Sequence, residues 1–139
     1  MTAPSQIITT DPATTVQAFF AALEDRAVPQ ALALADDKIV WRNTSLPTVK
    51  GKMVARLLKG MDKDWMGFRA DFHHIAATGD VVMTERTDYL RLGPLEIDFW
   101  VCGTFELRDG RITLWHDYFS WTNVLGGTVR GAFRMLRGR

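Results

Sequence analysis

Four segments between Phe68 and Trp121 carry strand-like patterns, separated by three short turn signals. The first runs from Phe68 to Thr78 and closes on Thr78-Gly79-Asp80. The second, Val81 to Leu92, is followed by Gly93-Pro94. The third, Leu95 to Leu107, is joined to the fourth, Arg111 to Trp121, by Arg108-Asp109-Gly110, a hairpin turn. Strands connected this tightly pair antiparallel, because a parallel pair needs a long crossover.

The preceding residues follow a helical period. A helix is predicted from Asp11-Pro12, since Asp is a good N-cap and Pro suits the first helical position. Val16, Phe19, Phe20 and Leu23 form its apolar stripe. A short helix near Pro29 carries Leu32 and Leu34. Ile39 to Asn43 reads as a strand and Pro47 to Lys50 as a loop. A third helix is predicted over Lys52 to Trp65, with Val54, Leu57, Leu58, Met61 and Trp65 on one side. Helices followed by antiparallel strands indicate an α+β fold with the helices on one face of the sheet. The basic, glycine-containing segment 122–139 is either a terminal helix or a partly ordered tail.

The 139 residues suit one domain, 1–139, without internal repeats. A net charge of +1 argues against a nucleic-acid partner. The single cysteine, Cys102, fits a reducing compartment. No apolar run reaches the roughly 20 residues that span a bilayer, and Met1 to Thr10 lacks the pattern of a signal peptide. A cytoplasmic protein is expected. The fourth strand is apolar on both faces, with Thr113, Trp115, Asp117, Phe119 and Trp121 on one and Ile112, Leu114, His116 and Tyr118 on the other. A second apolar face calls for a cover, and a homodimer through the sheet is expected.

Side chains alternate along a strand, so Arg86 and Asp88 share a face. Asp117 lies among Trp115, Phe119 and Trp121, where burying a carboxylate is costly without a partner or a purpose. If the two strands bring these groups together, two close carboxylates resist double ionisation and titrate jointly. The protonated member is then a general acid and the ionised one a general base. Such a pair suits adding water to a strained electrophile without a covalent intermediate. A purely structural ion pair is the competing reading.

Other residues offer less. His73 and His74 are strand neighbours and are expected on opposite faces, unable to share a metal. His116 is expected on the face opposite Asp117. Cys102 is expected to be a small buried apolar residue. Arg130, Arg134, Arg137 and Arg139 form a basic cluster, expected to be solvated. No metal-ligand spacing, phosphate loop or Gly-x-Ser-x-Gly elbow is present, so neither metal nor cofactor is expected.

The ordered set Trp41-Arg42-Asn43, Thr84-Glu85-Arg86-Thr87-Asp88, Leu92-Gly93-Pro94, Cys102-Gly103-Thr104-Phe105-Glu106 and Ile112 to Phe119 resembles the limonene-1,2-epoxide hydrolase family. The resemblance spans about Pro12 to Trp121. It implies the cone-shaped fold shared with nuclear transport factor 2, a curved mixed or antiparallel sheet with N-terminal helices on its concave face.

It also implies roles. Asp88 resembles the general acid that protonates the epoxide oxygen, and Asp117 the general base that takes a proton from water. Arg86 would bridge them and Asn43 would help hold the water. Trp41 stands where the family usually has a tyrosine, and either donates its indole N–H to the water or fills space. Leu46, Leu57, Met61, Trp65, Phe99, Trp115 and Phe119 are the expected pocket lining for an apolar epoxide of terpene, lipid or sterol type. A ketosteroid isomerase- or polyketide cyclase-like enzyme and a non-catalytic binding domain are the alternatives on this fold.

Overall fold

Register and bulges, more than strand boundaries, determine which side chains meet in this chain. The computed structural model describes residues 11–138. The N-terminal segment read for a signal peptide and Arg139 lie outside them. The element order is α1 (Pro12–Glu24), α2 (Val28–Ala33), β1 (Ala35–Asn43), β2 (Val49–Lys50), α3 (Lys52–Gly60), β3 (Met66–Thr78), β4 (Val81–Leu92), β5 (Leu95–Arg108), β6 (Arg111–Phe119) and α4 (Trp121–Arg137). One curved sheet has the strand order β2-β1-β6-β5-β4-β3. β1 and β6 are parallel and the other neighbours antiparallel.

The α1 stripe packs on the sheet's inner face. Val16, Phe19 and Phe20 are buried with Val54 and Leu58 of α3 and with Val82, Phe105, Ile112 and Trp115 of the strands. Asp11 occupies the N-cap of α1, but its carboxylate accepts from the Thr14 hydroxyl and no backbone N–H bonds to it. α2 buries Val28 and Ala31, and Leu32 and the C-cap Leu34 pack half-buried against the core. α3 stops at Gly60, five residues short of the expected Trp65, and β1 starts four residues before the expected Ile39.

Bulges overturn two expectations from strict alternation. Phe72 pairs with Arg86 and His74 with Glu85, which leaves His73 as the extra residue. Both histidines therefore lie on the outer face, His73 bonded to Thr87 and His74 to Glu85. In β6 Thr113 is the extra residue, since Glu106 pairs with Leu114 and Leu107 with Ile112, so Ile112 turns inward and is buried in the core. Cys102 is half-buried on the outer face beside Glu85, not buried in the core.

Of the segment read as a terminal helix or a partly ordered tail, residues 122–137 belong to the helix α4. β6 ends at Phe119, opposite Val101, so residues 95–100 of β5 have no strand neighbour on that side. α4 lies along this gap. The Asn123 amide oxygen accepts from the Trp100 N–H at 3.2 Å. A Cβ at Gly127 or Gly131 would fall about 2 Å from the Asp98 or Glu96 carbonyl oxygen, so glycine alone allows the approach. Arg130 and Arg134 are exposed to solvent as expected, and both also pair with Asp98. Trp121, expected at the end of the fourth strand, begins this helix and packs edge-on against Phe119. Among the described residues no helix is long and apolar enough to cross a membrane.

Candidate active site

Strand alternation on β4 sends Val82, Thr84, Arg86 and Asp88 inward, and all four are buried. Asp117 arrives from β6, and Gly103 of β5 lies between, paired with Thr84 on one side and Asp117 on the other. Arg86 is 0% exposed. Its Nε and Nη2 donate to the two oxygens of Asp88, both at 2.9 Å. Its Nη1 donates to Asp117 Oδ1 and to Thr84 Oγ1, both at 3.2 Å. The Phe20 ring lies 4.5 Å from the guanidinium carbon. The bidentate pair fixes the plane of Arg86, and the remaining bonds hold Asp117 to it.

Asp117 has a second partner. Trp115 Nε1 donates to Asp117 Oδ2 at 2.9 Å. Burial nonetheless pushes the Asp117 carboxyl up to about 6, against the pull of Arg86. The neighbouring Asp88 charge adds to the rise, and the Trp115 and Arg86 hydrogen bonds oppose it. Burial works to lower the Arg86 value too, but the two carboxylates outweigh it and hold the guanidinium firmly charged.

The parallel pairing of β1 with β6 completes the group. Trp41 pairs with Trp115 and Asn43 with Asp117. The two indoles stack 4.1 Å apart, 9° from parallel. Thr44 ties the strands together just beyond Asn43, donating its N–H to the Asp117 carbonyl and accepting from the Phe119 N–H. Trp41 Nε1 is buried and has no hydrogen-bond partner. A buried donor without a partner is costly, and the Trp41 ring that carries it lines the cavity beside Trp115.

That cavity, about 260 Å³, is lined by Asp88, Asp117, Asn43, Trp41 and Trp115 at its polar end. Leu46, Met61, Phe99 and Phe119 line it as expected, joined by Phe68, Leu90 and Val101. Leu57 and Trp65 do not line it. Leu57 precedes the inward-facing Leu58 and is 40% exposed. Trp65 lies beyond the end of α3 and is 57% exposed. Among the described residues no three His, Cys, Asp or Glu side chains gather as a metal-ligand set.

Thr84, Gly103 and the Trp115 hydrogen bond are additions to the residues expected from the sequence. Alternation places Thr84 beside Arg86. A glycine in mid-strand signals close approach of another group. A Cβ at Gly103 would lie 2.8 Å from both Arg86 Nη1 and Asp117 Oδ1. Gly103→Ala is expected to lower stability by about 1–3 kcal/mol and turnover by about 10²-fold. Thermal melting and steady-state kinetics check this, and wild-type values in both would contradict the geometry. His116 stays on the outer face, stacked on Tyr118 and away from Asp117.

Comparison with known proteins agrees with this geometry. Residues 10–130 match the limonene-1,2-epoxide hydrolase catalytic domain. The chain is 41% identical over 122 residues to the epoxide hydrolase EphG of Mycobacterium tuberculosis, covering 87% of this chain and 81% of that protein. A solved M. tuberculosis LEH-like epoxide hydrolase superposes with a TM-score of 0.87 at 39% identity, over 92% of this chain and 96% of the other. An NTF2-like protein from Cytophaga hutchinsonii, 18% identical, shares the fold with a TM-score of 0.67 over 84% of this chain and 96% of its own.

Proposed function

We propose, given that the chain belongs to the limonene-1,2-epoxide hydrolase family and is an epoxide hydrolase, that it adds water to an apolar epoxide in one step, without a cofactor. The observation that carries the reading is Arg86 bridging two buried carboxylates at the polar end of an apolar cavity.

Asp117 acts as the base. It stands beside Asn43, and a carboxyl near 6 is largely ionised at neutral pH yet basic enough to accept a proton. Water donates one proton towards Asp117 and one to the Asn43 amide oxygen, and attacks with a lone pair, while the buried Trp41 indole fills space beside it. The water oxygen bonds to a ring carbon as the C–O bond breaks. Asp88, in its protonated form, gives its proton to the leaving oxygen, and the product is a vicinal diol. Exchange of one proton from Asp117 back to Asp88 restores the pair. Arg86 keeps one positive charge beside the pair throughout.

The substrate is an apolar epoxide of terpene, lipid or sterol type, since the walls offer aliphatic and aromatic surface. A terpene epoxide and a larger lipid or sterol epoxide, assayed in ¹⁸O water, test the reading. One label in each diol is expected, and no diol from any of them would overturn it. Trp41→Tyr is expected to keep or raise turnover, because a phenol hydroxyl can donate to or accept from the water. Complete loss of turnover would assign the indole a role of its own.

The chain is read as a cytoplasmic homodimer. The single cysteine supports the compartment. Leu125, Val129, Phe133 and Leu136 of α4, with Met83 and Trp100 of the outer sheet face, are exposed and support self-association through the sheet. A stable monomer at micromolar concentration by analytical ultracentrifugation would count against the dimer.

A further inference from the structure

Residues 61–66, the loop after α3 and the first residue of β3, form one side of the cavity's exposed rim, where Met61, Asp62 and Met66 line it together with Arg26 itself. Residues 61–65 are all exposed, so no buried side chain anchors them. The loop is held by its backbone carbonyls instead. Arg26 donates to the carbonyl of Lys63 at 2.7 Å and to that of Met66, with longer contacts to the Asp64 carbonyl and the Asp62 carboxylate. Arg91 donates to the Asp64 and Met66 carbonyls at 3.1 and 3.3 Å. The Gly93 N–H bonds to the Trp65 carbonyl.

Arg26 holds an unexpected backbone position. The Ala27 N–H bonds to the Ala22 carbonyl at 2.8 Å and the Arg26 N–H to the Leu23 carbonyl at 3.2 Å. These two bonds define a Schellman ending of α1, whose left-handed residue is usually glycine. Here it is Arg26, at φ +61°. A side chain strains this backbone, so the helix ending by itself disfavours arginine. What arginine adds over glycine is the set of bonds to the loop.

We infer that Arg26 is a positioning residue for substrate admission, holding the 61–66 loop as a pre-formed wall of the cavity mouth. The inference rests on the epoxide hydrolase reading of the cavity. A planar guanidinium spans several carbonyls at once, which a lysine ammonium does not. With the wall ordered on folding, substrate binding does not bear the cost of ordering it. The reacting groups lie at the polar end of the cavity, on β1, β4 and β6, so the chemical step is left intact.

Arg26→Gly tests this, because glycine suits the backbone and removes only the side chain. The melting temperature is expected at or above that of the wild type. KM for a terpene epoxide is expected to rise about tenfold with kcat within about twofold. Amide exchange across 62–66 is expected to accelerate while β4 and β5 keep their protection. Arg26→Lys should fall between the two. Unchanged loop exchange, unchanged KM, or a kcat loss as large as the KM change would each overturn the inference. A lowered melting temperature would assign Arg26 to helix stability instead. The exchange and melting measurements need no turnover, so inactivity of the wild type on the epoxide would count against the activity and not against the latch.

Discussion

Asp88→Asn and Asp117→Asn are each expected to lower kcat by about 10²–10⁴-fold, the usual contribution of a general acid or base. Both variants should keep the fold, because asparagine is nearly isosteric and Arg86 retains one carboxylate partner. Steady-state kinetics beside circular dichroism check this, and near-normal epoxide turnover in either folded variant would end the proposed mechanism. The acid limb of the wild-type pH profile should report the same pair. Activity is expected to fall as pH drops through about 6, where Asp117 takes up its proton.

Asp117 also makes a stability statement with a definite sign. Its carboxyl is raised from 3.8 to about 6 in the folded chain, so between those values the native state binds more protons than the unfolded one. Stability therefore falls as pH rises through this window, by at most about 3 kcal/mol for a two-unit shift. Asp117→Asn should lack that fall. Denaturant titrations of both proteins at pH 4 and pH 7 measure it. An identical pH slope in the two would show that burial imposes no such cost. A base kept ionised in a buried site thus lowers stability, as is common where function requires it.

Arg86→Met is expected to destabilise the chain by about 3–5 kcal/mol, the cost of stripping a buried charge from its partners. Asp88 and Asp117 are 5% and 6% exposed and would be left facing each other without their common cation. The Asp117 carboxyl, already raised by burial, then loses the opposing pull of Arg86 and rises further. The variant's loss should be largest at pH 7–8 and shrink as pH falls towards 4, where protonation removes the charges. Melting temperatures across that range check it. A loss that does not depend on pH would mean that Arg86 matters for packing against Phe20 rather than for charge.

Much of this site is legible along the chain because it depends on alternation within single strands. Arg86 and Asp88 are two residues apart on β4, and Trp115 and Asp117 two apart on β6, so each pair shares a face in any regular strand. Thr84 obeys the same rule. Where a bulge intervenes the rule fails, as at His73 and Ile112, because one extra residue reverses the facing of the residues beyond it. Trp65 departs from expectation for another reason. The apolar period of α3 continues past Gly60, but the chain leaves the helix there, and the pattern does not mark the exit.

By its sequence alone the chain determines α1 and the four long strands β3 to β6, the acid, base and bridge as residue types, and their shared faces, since these follow from local periodicity. The tertiary structure decides the rest. Parallel pairing of β1 with β6 brings Asn43 to Asp117 from a distant part of the chain. Antiparallel pairing sets Gly103 between Thr84 and Asp117, leaving the space that Arg86 fills. α4 takes the open edge of β5, and Arg26 reaches the mouth loop from the end of α1. These depend on register and close approach between distant segments, which no local pattern encodes.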